Sequence, residues 1–76
     1  MPVERLTEAV RYEHRLRELI CRQSSLATSL ADTLADPRAR AGDIHACADF
    51  IDQHARNLAS LAADVRALAP RYEEIP

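Results

Sequence analysis

Apolar residues in the second half of the chain recur at alternating intervals of three and four positions. The row consists of Ile44, Cys47, Ile51, His54, Leu58, Leu61, Val65 and Leu68. Such a heptad pattern is typical of a helix that packs along its length against another helix. The pattern predicts helix 2 over about residues 44–69, with His54 as a polar interruption of its apolar row.

The first half of the chain carries a matching heptad. Its members are Tyr12, Leu16, Leu19, Gln23, Leu26 and Leu30. Neither glycine nor proline occurs between Pro2 and Pro37. A proline is well tolerated in the first turn of a helix, because its missing N–H is not needed there. The pattern therefore predicts helix 1 over about residues 2–35.

The segment 36–43 separates the two heptads. Pro37 disfavours helical geometry in the residue before it, and Gly42 can adopt a left-handed turn. We predict a turn over 36–43, with Asp43 as the N-cap of helix 2. In an alternative interpretation Asp36 is the cap, helix 2 begins at Pro37, and Gly42 lies inside that helix.

The chain of 76 residues predicts one helical-hairpin domain that spans 1–76. Pro70 should end helix 2 and leave a short tail over 70–76. Because the predicted turn is short, the two long helices must lie antiparallel. Residues whose numbers add up to about 79 should then face each other.

Further apolar residues lie beside both heptads, so each apolar stripe is wider than a contact between two helices requires. A second copy of the chain would cover the excess, and twofold self-association is the commonest way to do so. We predict an all-α fold, an antiparallel two-helix hairpin that dimerises into a four-helix bundle. The predicted dimer or partner face consists of Leu16, Leu19, Ile20, Leu26, Phe50, Ile51, Leu58 and Leu61.

One polar residue interrupts each heptad, Gln23 in helix 1 and His54 in helix 2. The predicted register places the two in nearly the same layer of the hairpin. A lone polar residue in a helical seam commonly fixes the alignment of the helices. We predict a core polar layer in which Gln23 and His54 satisfy each other. The alternative is that this layer binds a ligand or a metal ion.

The charge balance argues against a nucleic-acid partner. The formal net charge is −2, with 12 acidic and 10 basic residues spread along the chain. Nucleic-acid binding normally needs a one-sided basic surface. No apolar run approaches the roughly 20 residues that span a bilayer, so we expect no membrane partner and a cytoplasmic location. Arginine as the sole basic residue, with abundant alanine, suggests a bacterial or phage origin.

The sequence offers no pattern of a catalytic or cofactor site. Zinc ligands normally lie two to four residues apart, and His45 with Asp49 is one such helical pair, but His54 lies two turns from Cys47, too far to share an ion. The spacing of di-iron bundles, Glu followed three residues later by His, does not occur. We expect no catalytic residue, no cofactor and no metal. The predicted function is a non-enzymatic protein–protein interaction module, such as an adaptor, regulator or phage-type inhibitor. It would act through its helix faces as a homodimer and engage a further protein.

Overall fold

The computed structural model describes residues 3–73 and contains three helices: α1 (Val3–Ala35), α2 (Ala41–Arg66) and the short α3 (Ala69–Glu73). No strand occurs within this range, and the prediction of an all-helical chain is confirmed there. The helices α1 and α2 pack against each other and form a rod of 60 × 17 × 13 Å. The predicted start of helix 1 at Pro2 lies outside the described residues.

Contacts between the helices confirm the predicted antiparallel register. Arg15 Nη1 lies 2.8 Å from Asp64 Oδ2, in the last turn of α2. Nearer the turn, the Cys47 thiol donates a hydrogen bond of 3.4 Å to Thr33 Oγ1. The residue numbers of these pairs add up to 79 and 80, as the short turn requires.

The turn is tighter than predicted, because Asp36 closes it locally. Its carboxylate accepts a hydrogen bond of 2.9 Å from the Arg38 N–H, and its carbonyl accepts one of 3.0 Å from the Ala39 N–H. The chain is extended at Arg40, with φ −117° and ψ 169°, and α2 then begins at Ala41. Helix 2 thus starts three residues before the predicted position 44, and four residues after the alternative start at 37.

Asp43 stabilises the start of α2 from inside the helix. Its carboxylate accepts a hydrogen bond of 3.0 Å from the Arg40 N–H, and Arg40 is the N-cap residue. A carboxylate at the third helical position satisfies a backbone donor that has no partner in the helix. The prediction that Asp43 is the N-cap is wrong. Gly42 has no positive φ and lies in the first turn of α2, so the predicted left-handed turn is wrong as well.

Helix 2 ends at Arg66 rather than near residue 69. Pro70 has no N–H with which to continue the backbone hydrogen bonds of α2. The chain therefore turns after Arg66 and forms α3, which holds Pro70 within its first turn. Residues 70–73 of the predicted tail belong to this helix, and residues 74–76 lie outside the described range.

The interior of the hairpin is thin. Leu19 and Leu61 are the only buried apolar residues within 3–73, with 8% and 6% of their surface exposed. His54 is the one buried polar residue in the same range, with 9% exposed. Folding must offset a large loss of chain entropy, mainly through the burial of apolar side chains. Two buried leucines are a small core for that purpose.

Candidate interaction surface

The two long sides of the hairpin differ in chemistry. On one side a groove between the helices is lined by Leu16, Leu58, Leu61, Ala62, Val65 and Arg66. Nearer the turn, a second groove on this side is lined by Gln23, Leu26, Ala27, Leu30, Ile51 and His54. Apart from Arg66, Gln23 and His54, all of these residues are apolar.

We call this side of the hairpin the open face. Large apolar side chains are exposed along its whole length. Each lies in one of the two heptad rows or directly beside it, where the sequence predicted packing. In α1 and α2 these residues are Leu16, Ile20, Leu34, Ile44, Ile51 and Val65, which expose between 38% and 64% of their surface. The sequence placed them correctly on an apolar stripe. The second helix of the hairpin covers only the inner edge of that stripe.

The opposite side, which we call the polar side, carries charged and amide groups. One groove there is lined by Arg15, Glu18, Leu19, Arg22, Asn57 and Ser60. The ion pair between Arg15 and Asp64 also lies on this side, and the two side chains remain 36% and 47% exposed. Such a partly solvated pair contributes little stability but fits a surface that remains in water.

Three residues of the predicted partner face are not exposed on the open face. Leu19 and Leu61 are buried between α1 and α2, because their positions point directly at the other helix of the same hairpin. Phe50 is 64% exposed but lies on the polar side, in a groove shared with Arg22 and Gln53. A helix turns by about 100° per residue, so Ile51 also lines a groove of the open face whereas Phe50 does not.

Other predicted face residues are on the open face or beside it. Leu16 and Ile51 are exposed in its grooves, and Ile20, one turn from Leu16, is exposed beside them by helical position. Leu26 and Leu58 are half-buried at the boundary between the helices. These two leucines therefore contribute both to the hairpin interior and to the floor of the open face.

His54 lies between the two sides and has no hydrogen-bond partner for either ring nitrogen within the described chain. It lines the groove with Gln23 and Ile51 on the open face and the groove with Gln53 and Asn57 on the polar side. Gln23 is exposed, and the predicted mutual hydrogen bond is not formed. Gln23 and His54 share one layer of the hairpin. In a single hairpin, however, Gln23 stays exposed and neither ring nitrogen of His54 has a hydrogen-bond partner.

The end of the rod opposite the turn is held by contacts between α3 and α1. The guanidinium of Arg5 lies 4.3 Å from the centre of the Tyr72 ring. Arg71 donates a hydrogen bond to the carboxylate of Glu8. This bond, together with the negative charge of Glu8, raises the pKa of the Arg71 guanidinium above its usual value.

The described residues contain no group of three or more His, Cys, Asp or Glu side chains placed to hold a metal ion. None of the helices in this range combines the length and the apolar character needed to cross a membrane. No protein-family model matches the chain, and no curated protein and no solved structure matches it. Inference about function therefore depends on the surface itself.

Proposed function

We propose that this chain is a small non-enzymatic protein–protein interaction module that works as a homodimer, with the open face as its docking surface. The observation that carries the proposal is the continuous row of exposed large apolar residues along one side of a hairpin with two buried leucines. Extended apolar patches of this kind mark sites of association in soluble proteins.

The exposed area supports the same conclusion. A compact monomer of 8.5 kDa would expose roughly 4,700 Å². This chain exposes 6273 Å², an excess of about 1,600 Å² over that compact reference. A stable interface takes about 800 Å² from each partner, and obligate dimers take more. The excess is therefore large enough to supply one complete interface.

The charges along the rim of the open face favour a second copy as the partner. By helical position Glu13 borders this face on α1, and Arg66 lines its edge on α2. One acid and one arginine leave the rim without net charge. Such a rim does not repel a copy of itself, and it does not select a strongly acidic or basic partner.

A matched pair of variants tests the proposal. Ile20 on the open face and Val10 on the outer side of α1 expose similar fractions of their surface, 54% and 60%. Ile20→Glu should shift native mass spectra from dimer to monomer, because a carboxylate would be buried in the interface. Val10→Glu should leave the dimer intact. Equal behaviour of the two variants would show that the open face is not the docking surface.

A second candidate function is the binding of a ligand or metal ion by the layer around His54. The observation in its favour is that both ring nitrogens of His54 lack a partner and that this residue lines a groove on each side of the hairpin. Zinc titration monitored through the imidazole resonances separates the two functions. Stoichiometric Zn²⁺ binding that His54→Leu abolishes would favour a carrier, and unchanged resonances would favour the interaction module.

A further inference from the structure

We propose that each Gln23 in the dimer hydrogen-bonds His54 of the other copy, and that this requires the two hairpins to lie with their turns at the same end. The inference rests on the proposed dimer through the open face. It adds the relative orientation of the two copies and the residues that determine it.

His54 is a buried side chain without hydrogen-bond partners. More than nine-tenths of its surface is buried, and both ring nitrogens lack a partner within residues 3–73. A neutral imidazole carries one donor and one acceptor. Leaving both without partners in a buried site is costly, so a structure with this feature is expected to gain a partner group. A side-chain amide offers both the acceptor and the donor that an imidazole needs.

Gln23 lines the same groove as His54 on the open face, and in a single hairpin it is exposed. Gln23 belongs to the heptad row of Leu16 and Leu30, so a second hairpin on this face would bury it. Dimerisation therefore creates a second buried polar group in the layer where His54 already lacks partners.

The orientation of the copies decides whether these groups meet. When the turns lie at the same end, the twofold axis runs parallel to the helices and α1 of one copy lies against α2 of the other. Each layer of the hairpin then faces the same layer of the second copy. Gln23 of one copy lies across from His54 of the other, and symmetry forms this contact twice.

The opposite orientation separates these groups. With the turns at opposite ends and the rods fully overlapped, the symmetry axis crosses α1 near residue 20. Gln23 would then face the layer of Leu16, and His54 would face the layer of Val65. Arg66 lies near that layer at the rim, but a guanidinium can only donate hydrogen bonds. Sliding the copies by about 10 Å would realign the polar layers, but α1 would then lie against α1 of the other copy, so Gln23 would face Gln23 and His54 would face His54.

Distance measurements between spin labels test the orientation. Arg38 is exposed in the turn, so Arg38→Cys in a Cys21→Ser/Cys47→Ser background places one label at the end of each rod. Since packed helices lie about 8–10 Å apart, we expect labels in a same-end dimer within about 25 Å of each other. Labels at opposite ends would lie near the 60 Å length of the rod. Glu18→Cys, in the middle of the polar side, is a control that should give similar distances in both orientations.

Substitution of the polar layer tests its role. Gln23→Leu should raise the dissociation constant of the dimer roughly tenfold, because it leaves His54 buried without its partner. Gln23→Leu/His54→Leu should restore tight association but give both short and long label distances, because nothing then selects the orientation. Ser25→Leu, in a groove of the polar side, is the matched control and should change neither quantity.

The outcomes separate this inference from the proposed function. A wild-type dimer with a single long distance between the turn labels would overturn the inference and leave the dimer proposal intact. A double variant that keeps one short distance would also overturn it. A wild-type chain that stays monomeric would overturn the dimer proposal and this inference together.

Discussion

Arg15 and Asp64 lie 49 residues apart in sequence, and their side chains form an ion pair of 2.8 Å across the hairpin. This pair marks which turn of α1 lies beside which turn of α2. It occupies the polar side, away from the apolar residues of the open face. This one contact therefore shows how the two helices are aligned, and it shows that charged groups meet on the side of the hairpin away from the open face.

Removal of this ion pair should have a small effect on stability. Both side chains are more than a third exposed, so we expect a coupling energy of about 0.2–1 kcal/mol. A double-mutant cycle with Arg15→Ala and Asp64→Ala, followed by urea unfolding, measures it. The coupling should decrease in high salt, because exposed charges are screened. A coupling of several kcal/mol would show that the pair is buried in the working state.

Substitution of Gly42 should stabilise the chain. Gly42 is helical, and a Cβ atom built at this position meets nothing within 4 Å. We expect Gly42→Ala to raise the free energy of unfolding by about 0.4–1 kcal/mol, mainly because the unfolded chain loses freedom. A glycine introduced at the neighbouring helical position, Ala41→Gly, should lower the free energy of unfolding. A destabilised Gly42→Ala variant in thermal unfolding would contradict the helical assignment of this residue.

Loss of the Tyr72 ring should loosen α3 without unfolding the hairpin. Tyr72 stacks on Arg5, and the contact is exposed, so we expect about 0.5–1 kcal/mol from it. Hydrogen exchange of Tyr72→Ala should accelerate in α3 and in the first turns of α1, with little change near Leu61. Glu73→Ala serves as the control within the same helix. Uniformly faster exchange along the whole chain would show instead that α3 supports global stability.

Truncation of the hairpin core should be the most damaging single change. Leu61 is the most buried apolar residue within 3–73, and Leu→Ala at such a site typically costs about 2–5 kcal/mol. The control is Val10→Ala on the outer side of α1, which should cost less than about 0.5 kcal/mol. Chemical unfolding measures the free energy of unfolding of both variants and of the wild-type chain. Similar losses would mean that the interior assigned to the hairpin is wrong.

The sequence predicted the features that depend on spacing along the chain. A short turn between two long heptads allows only an antiparallel hairpin, so the contact between Arg15 and Asp64 follows from counting residues. The ends of α2 were less predictable. Asp43 can serve as an N-cap or as the third helical residue, and the local bonds of Asp36 decide between these roles. Pro70 can end one helix or begin another.

The candidate surface was only partly predictable for a different reason. A heptad places residues on a stripe but does not say which edge of the stripe the second helix covers. Leu61 thus proved to be interior, and Phe50 lies on the polar side. The exposure of Gln23 depends on whether a second chain is present, which no pattern within one chain can determine.

Sedimentation equilibrium of the wild-type chain at micromolar concentrations tests the central claim most directly, since it asks whether the open face is covered by a second copy. We expect the mass to approach twice the 8.5 kDa of one chain and to fall towards that value on dilution. A cooperatively folded species that stays at the mass of one chain at all concentrations would contradict the account.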